Sequence, residues 1–493
     1  MTASRNDLPL FNRAAQDTVF YTSIAGSPGH YQALNCKLVM AVIHELAATL
    51  PEQGYAMNLC GSRLHFFVSF CAVIIRGQCN LLPPNRHLET QNQLAQRYKD
   101  VYIIHDGSVE LETGIHSVDI SLLCQQAILR ATANLHSDLL EPPQIPSEQL
   151  AAIVFTSGST GQSKAIPKTW QTFTASTAIN KQYFLSEPED QYTLVATVPG
   201  QHMWGLETSI LLPLFANISV LDAQPFFAAE IVEVLRTLPG RRMLASTPLH
   251  INTLCKSGLT LPRLDRVLCA TAPLPESLAA KLEELTQSSV CEIYGCSEVG
   301  SMAYRYPAKN SLWQFFRDFK VSQTQNTTSL SADHMARPFA LHDRLSLDHS
   351  GAFSIVGRDS DMVNIAGKRA SLKDLNLSLT EIDGVLDGAI FLPEENIGEH
   401  DKNEHPIHTK VQRLAALVTI DQKVIDKKRL LNALRRKIDP VFMPRPLYLV
   451  DALPREESGK LTAKRLNAVL AKSRDSVNDT VQHKLRKVHA PPH

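Results

Sequence analysis

An apolar run, residues 149–156 (QLAAIVFT), passes without a break into Thr156-Ser157-Gly158-Ser159-Thr160-Gly161-Gln162-Ser163-Lys164. No other feature constrains the chain as tightly. Small residues let the backbone approach an anion, and their N–H groups can cradle phosphate oxygens. The hydroxyls add donors and Lys164 adds charge. A flexible linker would need neither the strand before it nor the lysine after it. The loop is not a Walker A loop, because no Gly-Lys-Ser/Thr closes it.

Around this loop helix and strand patterns alternate. Residues 38–50, 231–238 and 278–285 read as helices. Residues 101–105, 192–198, 218–221, 242–245 and 290–294 read as strands. That alternation predicts an α/β architecture. The run 66–75 is apolar, ends at Arg76 and is shorter than the roughly 20 residues a membrane span needs, so it predicts a buried helix. Residues 306–340 read as irregular, and 345–356 as a hairpin turning at Asp348-His349-Ser350-Gly351. Beyond Gly357-Arg358 the pattern becomes a smaller α+β set: strand 414–420, basic helix 427–436, strand 447–450 and a polar loop at 393–408.

Lys+Arg and Asp+Glu both number 49, which gives neither nucleic acid nor an anionic membrane a reason to bind. The nine cysteines form no C-x-x-C pair and sit mostly in apolar runs. They read as reduced thiols of a cytoplasmic protein, not as a disulfide frame or zinc site. The N-terminal residues are polar and are not a secretory signal. Residues 473–493 read as a polar tail.

Four further segments carry candidate chemistry. Ala270-Thr271-Ala272-Pro273-Leu274 leaves room for a ligand against the backbone. Tyr294-Gly295-Cys296-Ser297-Glu298 supplies an aromatic ring, a hydroxyl and a hard carboxylate suited to Mg²⁺. Asp343 precedes Gly357-Arg358-Asp359-Ser360-Asp361 and Gly367. Pro454-Arg455-Glu456-Glu457-Ser458-Gly459-Lys460 places a lysine on a turn.

In this order, from about residue 38 to 466, the segments resemble the adenylate-forming superfamily of acyl-CoA synthetases, aryl-CoA ligases, luciferases and peptide-synthetase adenylation domains. The resemblance implies a large N-terminal domain of packed mixed sheets and helices, residues 1–357, and a small mobile C-terminal α+β domain, residues 358–472. It also implies the site. Thr156, Ser157, Gly158, Ser159, Thr160, Gly161 and Lys164 would hold ATP phosphates. Ala272, Pro273, Tyr294 and Gly295 would line the adenine, whose ring Tyr294 would stack upon. Ser297 would bond an oxygen of the reacting groups and Glu298 would hold Mg²⁺. Asp343 would grip the ribose, with Arg358 on ribose or phosphate. Lys460 would bridge carboxylate and α-phosphate, Ser360 would serve as hinge, and Gly367 would line a thiol tunnel. Pro199-Gly200-Gln201-His202-Met203-Trp204-Gly205 resembles a segment beside the acyl pocket, making His202, Trp204 and Gly205, with Ala270 and Thr271, pocket candidates. His202 is not needed as a base, because a carboxylate is already ionised at neutral pH.

Several positions depart from the family pattern. Ser163 and Ala165 stand where proline and glycine are usual, the flanks of Asp343 lack Thr-Gly, and Ser360 replaces an aspartate or lysine. The implied activity is ATP-dependent acyl-AMP formation with pyrophosphate release, then acyl transfer to coenzyme A or to phosphopantetheine on an acyl carrier protein. The small carboxylic acid would be aromatic or fatty, because residues 197–207 hold no aspartate to pair with an amino acid's ammonium. Leu82-Pro83-Pro84-Asn85 and Lys168-Thr169-Trp170 resemble ligases of aryl-polyene pigment pathways. Two alternatives remain open on sequence: a catalytically silent nucleotide-binding regulator, and an adenylate-dependent β-lactone-forming enzyme.

Overall fold

The computed structural model describes residues 7–24, 26–27, 29–133, 141–156, 164–185, 187, 190–324, 327–358, 362–365, 368–393, 413–456 and 461–473. They form two compact units. The first takes up residues 1–322, 329–340 and 347–354; the second takes up 323–328, 341–346 and everything from 355. The C-terminal domain expected from the sequence begins three residues later, at Arg358.

The first unit is built on two large sheets. One has six strands in the order Lys164–Thr169, Leu150–Thr156, Cys79–Leu82, Tyr55–Asn58, Val101–His105 and Ser117–Asp119. All neighbours are parallel except the first pair, in which Lys164 lies opposite Thr156. The other has nine strands, Gln314–Phe315, Gly300–Arg305, Val290–Cys296, Arg266–Cys269, Arg241–Ser246, Tyr192–Ala196, Ile218–Leu221, Thr18–Ser23 and Tyr31–Asn35. Its six strands from Val290–Cys296 to Thr18–Ser23 run parallel. Such strands are covered on both faces, and Tyr192–Ala196, Ile218–Leu221 and Arg266–Cys269 are buried at every residue.

The apolar run at 66–75 lies in the helix Arg63–Ile75, whose described side chains are buried almost all round. A buried helix start needs partners for its free N–H groups. Here Ser62 Oγ accepts from His65 N at 3.1 Å and Asp222 Oδ1 accepts from Leu64 N at 2.8 Å. The helix Cys36–Thr49 begins in the same way, with Asn35 Oδ1 accepting from Leu38 N at 2.9 Å.

Residues 306–340, read as irregular, carry the short strands Gln314–Phe315, Lys320–Gln323, Thr328–Ser331 and Phe339–Ala340. Strands of two to four residues, one of them exposed throughout, present no period-2 pattern to detect. The hairpin is present as Asp343–Leu347 and Phe353–Arg358, with Asp348 Oδ1 accepting from Ser350 N and Ala352 N in its turn.

In the second unit the sheet Val385–Phe391, Ala415–Ile420 and Leu447–Leu449 packs with the helices Leu372–Thr380 and Lys427–Lys437. Leu379, Ala416, Val418, Leu430 and Leu434 form the centre of that core. Its other face is covered by Leu453, Leu466 and Leu470.

Candidate active site

The six parallel strands of the large sheet bring their carboxyl ends to one edge. The strand Tyr192–Ala196 has Ile218–Leu221 on one side and Arg241–Ser246 on the other, so chain order reverses there. The crevice outside such a reversal is where open α/β sheets bind ligands. Three of the segments singled out in the sequence leave this edge: 199–205, 270–274 and 294–298.

Residues 197–205 are pinned from several directions. Arg63, itself buried, donates to Ala196 O at 3.0 Å and Val198 O at 2.9 Å, and its other nitrogen reaches Ser209 Oγ. His202 precedes the short helix Met203–Leu206, with its carbonyl accepting from Leu206 N at 2.7 Å. Trp204 is buried and donates from Nε1 to Ser246 O at 3.2 Å. Gly205 admits no side chain, because a Cβ there would sit 1.9 Å from Pro199 O. The helix then widens into a π-helical turn, Glu207–Leu211. Such turns recur at functional sites.

The segment 270–274 is held by a buried bracket. Glu292 accepts from Leu274 N at 2.8 Å and from Arg305 Nε at 2.6 Å. Arg305 returns a bond to Leu274 O at 3.1 Å and lies over the Trp313 ring. Three residues before the bracketed Leu274, Thr271 adopts φ of 86°, which for a β-branched residue is strained. Thr271, Ala272 and Pro273 are exposed, while Ala270 is buried as a continuation of its strand.

Tyr294 contacts Trp313 with ring centroids 5.6 Å apart and Phe353 at 6.2 Å. Ser297 and Glu298 lie in the tight turn between Val290–Cys296 and Gly300–Arg305. Lys164 Nζ meets Glu298 Oε1 at 2.8 Å. The end of the phosphate-type loop in one sheet and the carboxylate turn of the other therefore touch. The Lys164 side chain is 55% exposed, so this pair stabilises the fold by about 1 kcal/mol at most and is easily exchanged for other ligands. Burial pushes the thiol of Cys296 beside it up to about 12.

Among the described residues no group of three or more His, Cys, Asp or Glu gathers to hold a metal. Mg²⁺ is commonly bound by one or two carboxylates together with substrate phosphates. Glu298 is a hard carboxylate beside the lysine that ends the phosphate-type loop, and the fit is to a metal–nucleotide complex.

Thr156 and Arg358 are described as strand residues without their side-chain surroundings. Asp343 opens its strand in the second unit. Ser157, Gly158, Ser159, Thr160, Gly161, Ser360, Gly367 and Lys460 lie outside the described residues. The residues on either side of 457–460 are described: Arg455 donates to both carboxylate oxygens of Asp387, and Arg465 donates to Arg455 O at 3.2 Å.

The model of the AMP-binding enzyme family matches residues 38–320, more than half of the chain. The chain belongs to the AMP-binding enzyme family. Among curated relatives, this AMP-binding enzyme is 20% identical over 339 residues to the 3,4-dihydroxybenzoate–[aryl-carrier protein] ligase of Bacillus anthracis, covering 66% of this chain and 76% of that one. It is 29% identical over 255 residues to the 4-coumarate–CoA ligase of Rhodobacter capsulatus, covering 51% of this chain and 62% of that one. ATP-bound MatB from Rhodopseudomonas palustris shares the fold at TM-score 0.73 and 17% identity, over 93% of this chain and 97% of that one. The α/β adenylate-forming fold expected from the motifs is thus the fold observed. No described helix is long and apolar enough to cross a membrane.

Sequence reasoning missed the residues beneath the site. Arg63, Lys168 and Glu207 are all buried, yet each looks like an ordinary charged surface residue in the sequence. Glu207 follows the Trp204-Gly205 pair by two residues and could have been noticed as an acid in an apolar run. Arg63 carried no such signal, and Lys168 was noted only as part of Lys168-Thr169-Trp170, which says nothing of its burial.

Proposed function

We propose that this AMP-binding enzyme activates a small aromatic carboxylic acid as its acyl-adenylate and passes the acyl group to a thiol, either coenzyme A or the phosphopantetheine of a carrier protein. The contact of Lys164 with Glu298 carries the reading. It joins the end of a loop suited to phosphate with a carboxylate suited to Mg²⁺, at the carboxyl edge of a parallel sheet.

In the first step the substrate carboxylate attacks the α-phosphorus. An acyl O–P bond forms, the bond to the bridging oxygen breaks, and pyrophosphate leaves. Bound Mg²⁺ would neutralise phosphate charge from Glu298. Lys164 and the donors from Thr156 to Gly161 would hold the leaving phosphates. Lys460 would face the charge that builds between carboxylate and α-phosphate. The ring of Tyr294, with Gly295, Ala272 and Pro273, would face the adenine. Asp343 and Arg358 would hold the ribose, and Ser297 would bond the reacting oxygens. His202, Trp204, Gly205, Ala270 and Thr271 would line the acid's pocket. In the second step a thiolate attacks the acyl carbonyl, a C–S bond forms and AMP departs. The domain from about Arg358 would turn at Ser360, so that Lys460 withdraws and the thiol enters past Gly367. An aromatic acid is favoured because two relatives are named for hydroxylated aryl acids and the 197–207 segment lacks an aspartate.

The test is acid-dependent pyrophosphate release from ATP and Mg²⁺ across benzoates, cinnamates, fatty acids and amino acids. Release with an aromatic acid, lowered on the order of 10²–10³-fold in Lys460→Ala, is expected. The variant should still consume preformed acyl-AMP with the thiol. Release with a fatty acid alone would overturn the substrate assignment, and equal loss of both half-reactions would overturn the role of Lys460.

A further inference from the structure

Lys168 stands in the edge strand Lys164–Thr169, four residues after Lys164 and on the same face. Their surroundings differ. The Lys164 side chain is mostly exposed, whereas Lys168 is only 3% exposed. The Lys168 ammonium donates to the backbone carbonyl of Glu298 at 2.7 Å. The turn that presents the Glu298 carboxylate is therefore gripped at its main chain by a buried cation from the other sheet.

The exit of the same turn is gripped by a buried anion. Glu207 is 2% exposed; it accepts from Ser301 N at 3.0 Å and from Ser301 Oγ at 2.7 Å. Gly300, the residue between, has φ of 94°, and a Cβ on it would lie 2.6 Å from Glu207 Oε1. The carboxylate thus lies directly against the backbone where the turn re-enters its strand.

Two buried charges of opposite sign influence one another here. Burial pushes the Lys168 ammonium down, and the negative charge of Glu207 opposes that push. Burial pushes Glu207 up, opposed by the bonds from Ser301 and by Lys168. Holding these charges inside is costly, and an apolar pair of similar volume is often as stable or more so. A lysine at 168 supplies what an apolar residue could not, a charged donor at Glu298 O.

We propose that Lys168 and Glu207 are positioning residues that fix the Ser297–Val299 turn so that the Glu298 carboxylate is set for the Mg²⁺–nucleotide complex. This rests on the ATP-activating reading above. Glu207 also lies five residues beyond His202, so the same buried pair links the turn of Glu298 to the segment that would line the acid.

Three variants test the proposal: Lys168→Met, Glu207→Gln, and the double variant, which removes both charges while keeping side-chain volume. Thermal melting checks folding. Binding of ATP is then measured by calorimetry as MgCl₂ is titrated, and again in EDTA. Lys168→Met should raise the Mg²⁺ concentration at half-maximal ATP binding by about tenfold or more, as loss of a supporting contact to a metal ligand does. Binding in EDTA should change less than twofold. The double variant should recover melting temperature and keep the Mg²⁺ defect, because charge is balanced but the bond to Glu298 O is gone. A folded double variant with wild-type Mg²⁺ dependence would overturn the proposal and leave the pair a matter of internal charge balance. The isosteric Glu207→Gln decides the case if the methionine variants do not fold: an unchanged Mg²⁺ midpoint would overturn it, and a raised one would support it. Wild-type protein that binds Mg²⁺–ATP yet releases pyrophosphate with no acid overturns the function proposed above without touching this result.

Discussion

His250 offers a quantitative test of how the first unit responds to acid. It lies in the helix Pro248–Lys256, is 7% exposed, and has Nδ1 3.1 Å from Thr197 Oγ1 and 3.0 Å from Thr247 Oγ1. Nε2 is buried with no hydrogen-bond partner among the described residues, and the Phe226 ring lies nearly perpendicular to the imidazole with centroids 5.2 Å apart. Charging such a ring is unfavourable, and burial pushes its pKa from 6.5 to about 4. The unfolded chain binds this proton first as pH falls, so the folded state's advantage is complete above 6.5 and is lost progressively toward 4. With these values the loss between pH 7.5 and 4.5 is about 2–3 kcal/mol. His250→Asn keeps a polar atom near the two threonine hydroxyls and does not titrate. Trp170, Trp204 and Trp313 are the three tryptophans and all belong to the first unit, so urea unfolding followed by tryptophan fluorescence reports on it. The variant should begin less stable at pH 7.5, from lost packing, and then lose about 2–3 kcal/mol less than wild type on the way to pH 4.5. Parallel losses in the two proteins would falsify the assignment of a neutral, buried His250.

Two other substitutions probe the segment beside the expected acid pocket. Arg63→Met removes the donor to Ala196 O, Val198 O and Ser209 Oγ; stranding buried acceptors should destabilise the first unit by roughly 3–5 kcal/mol, and an unchanged urea midpoint would contradict that network. Gly205→Ala forces a methyl carbon onto Pro199 O, so a lower melting temperature with a KM for the acid at least about tenfold higher is expected. Wild-type melting together with wild-type KM would show that the backbone yields without consequence.

A candidate site could be named from the sequence because residues suited to anion chemistry leave a compositional trace. Glycine, serine, threonine and lysine in one short loop are hard to explain otherwise, and an acid after Tyr-Gly-Cys-Ser offers a hard ligand. The elements were readable for a similar reason. Runs such as 101–105 and 192–196 are apolar because parallel strands are covered on both faces, and residues 66–75 are apolar because their helix is buried nearly all round. The short strands in 306–340 were not readable, since their pairing depends on partners distant in sequence.

The sequence by itself determined the architecture class, the order of the motifs, and the chemical type of residue each one brings. The tertiary structure alone decided which of those residues meet. That Lys164 and Lys168 reach Glu298 depends on two sheets packing together, over separations of 134 and 130 residues, and that Glu207 reaches Ser301 depends on a helical turn packing against a strand 94 residues away. A lysine reads the same in a sequence whether its ammonium ends in water or in the interior. Only the packing around it determines the desolvation cost and the partner, and with them the role.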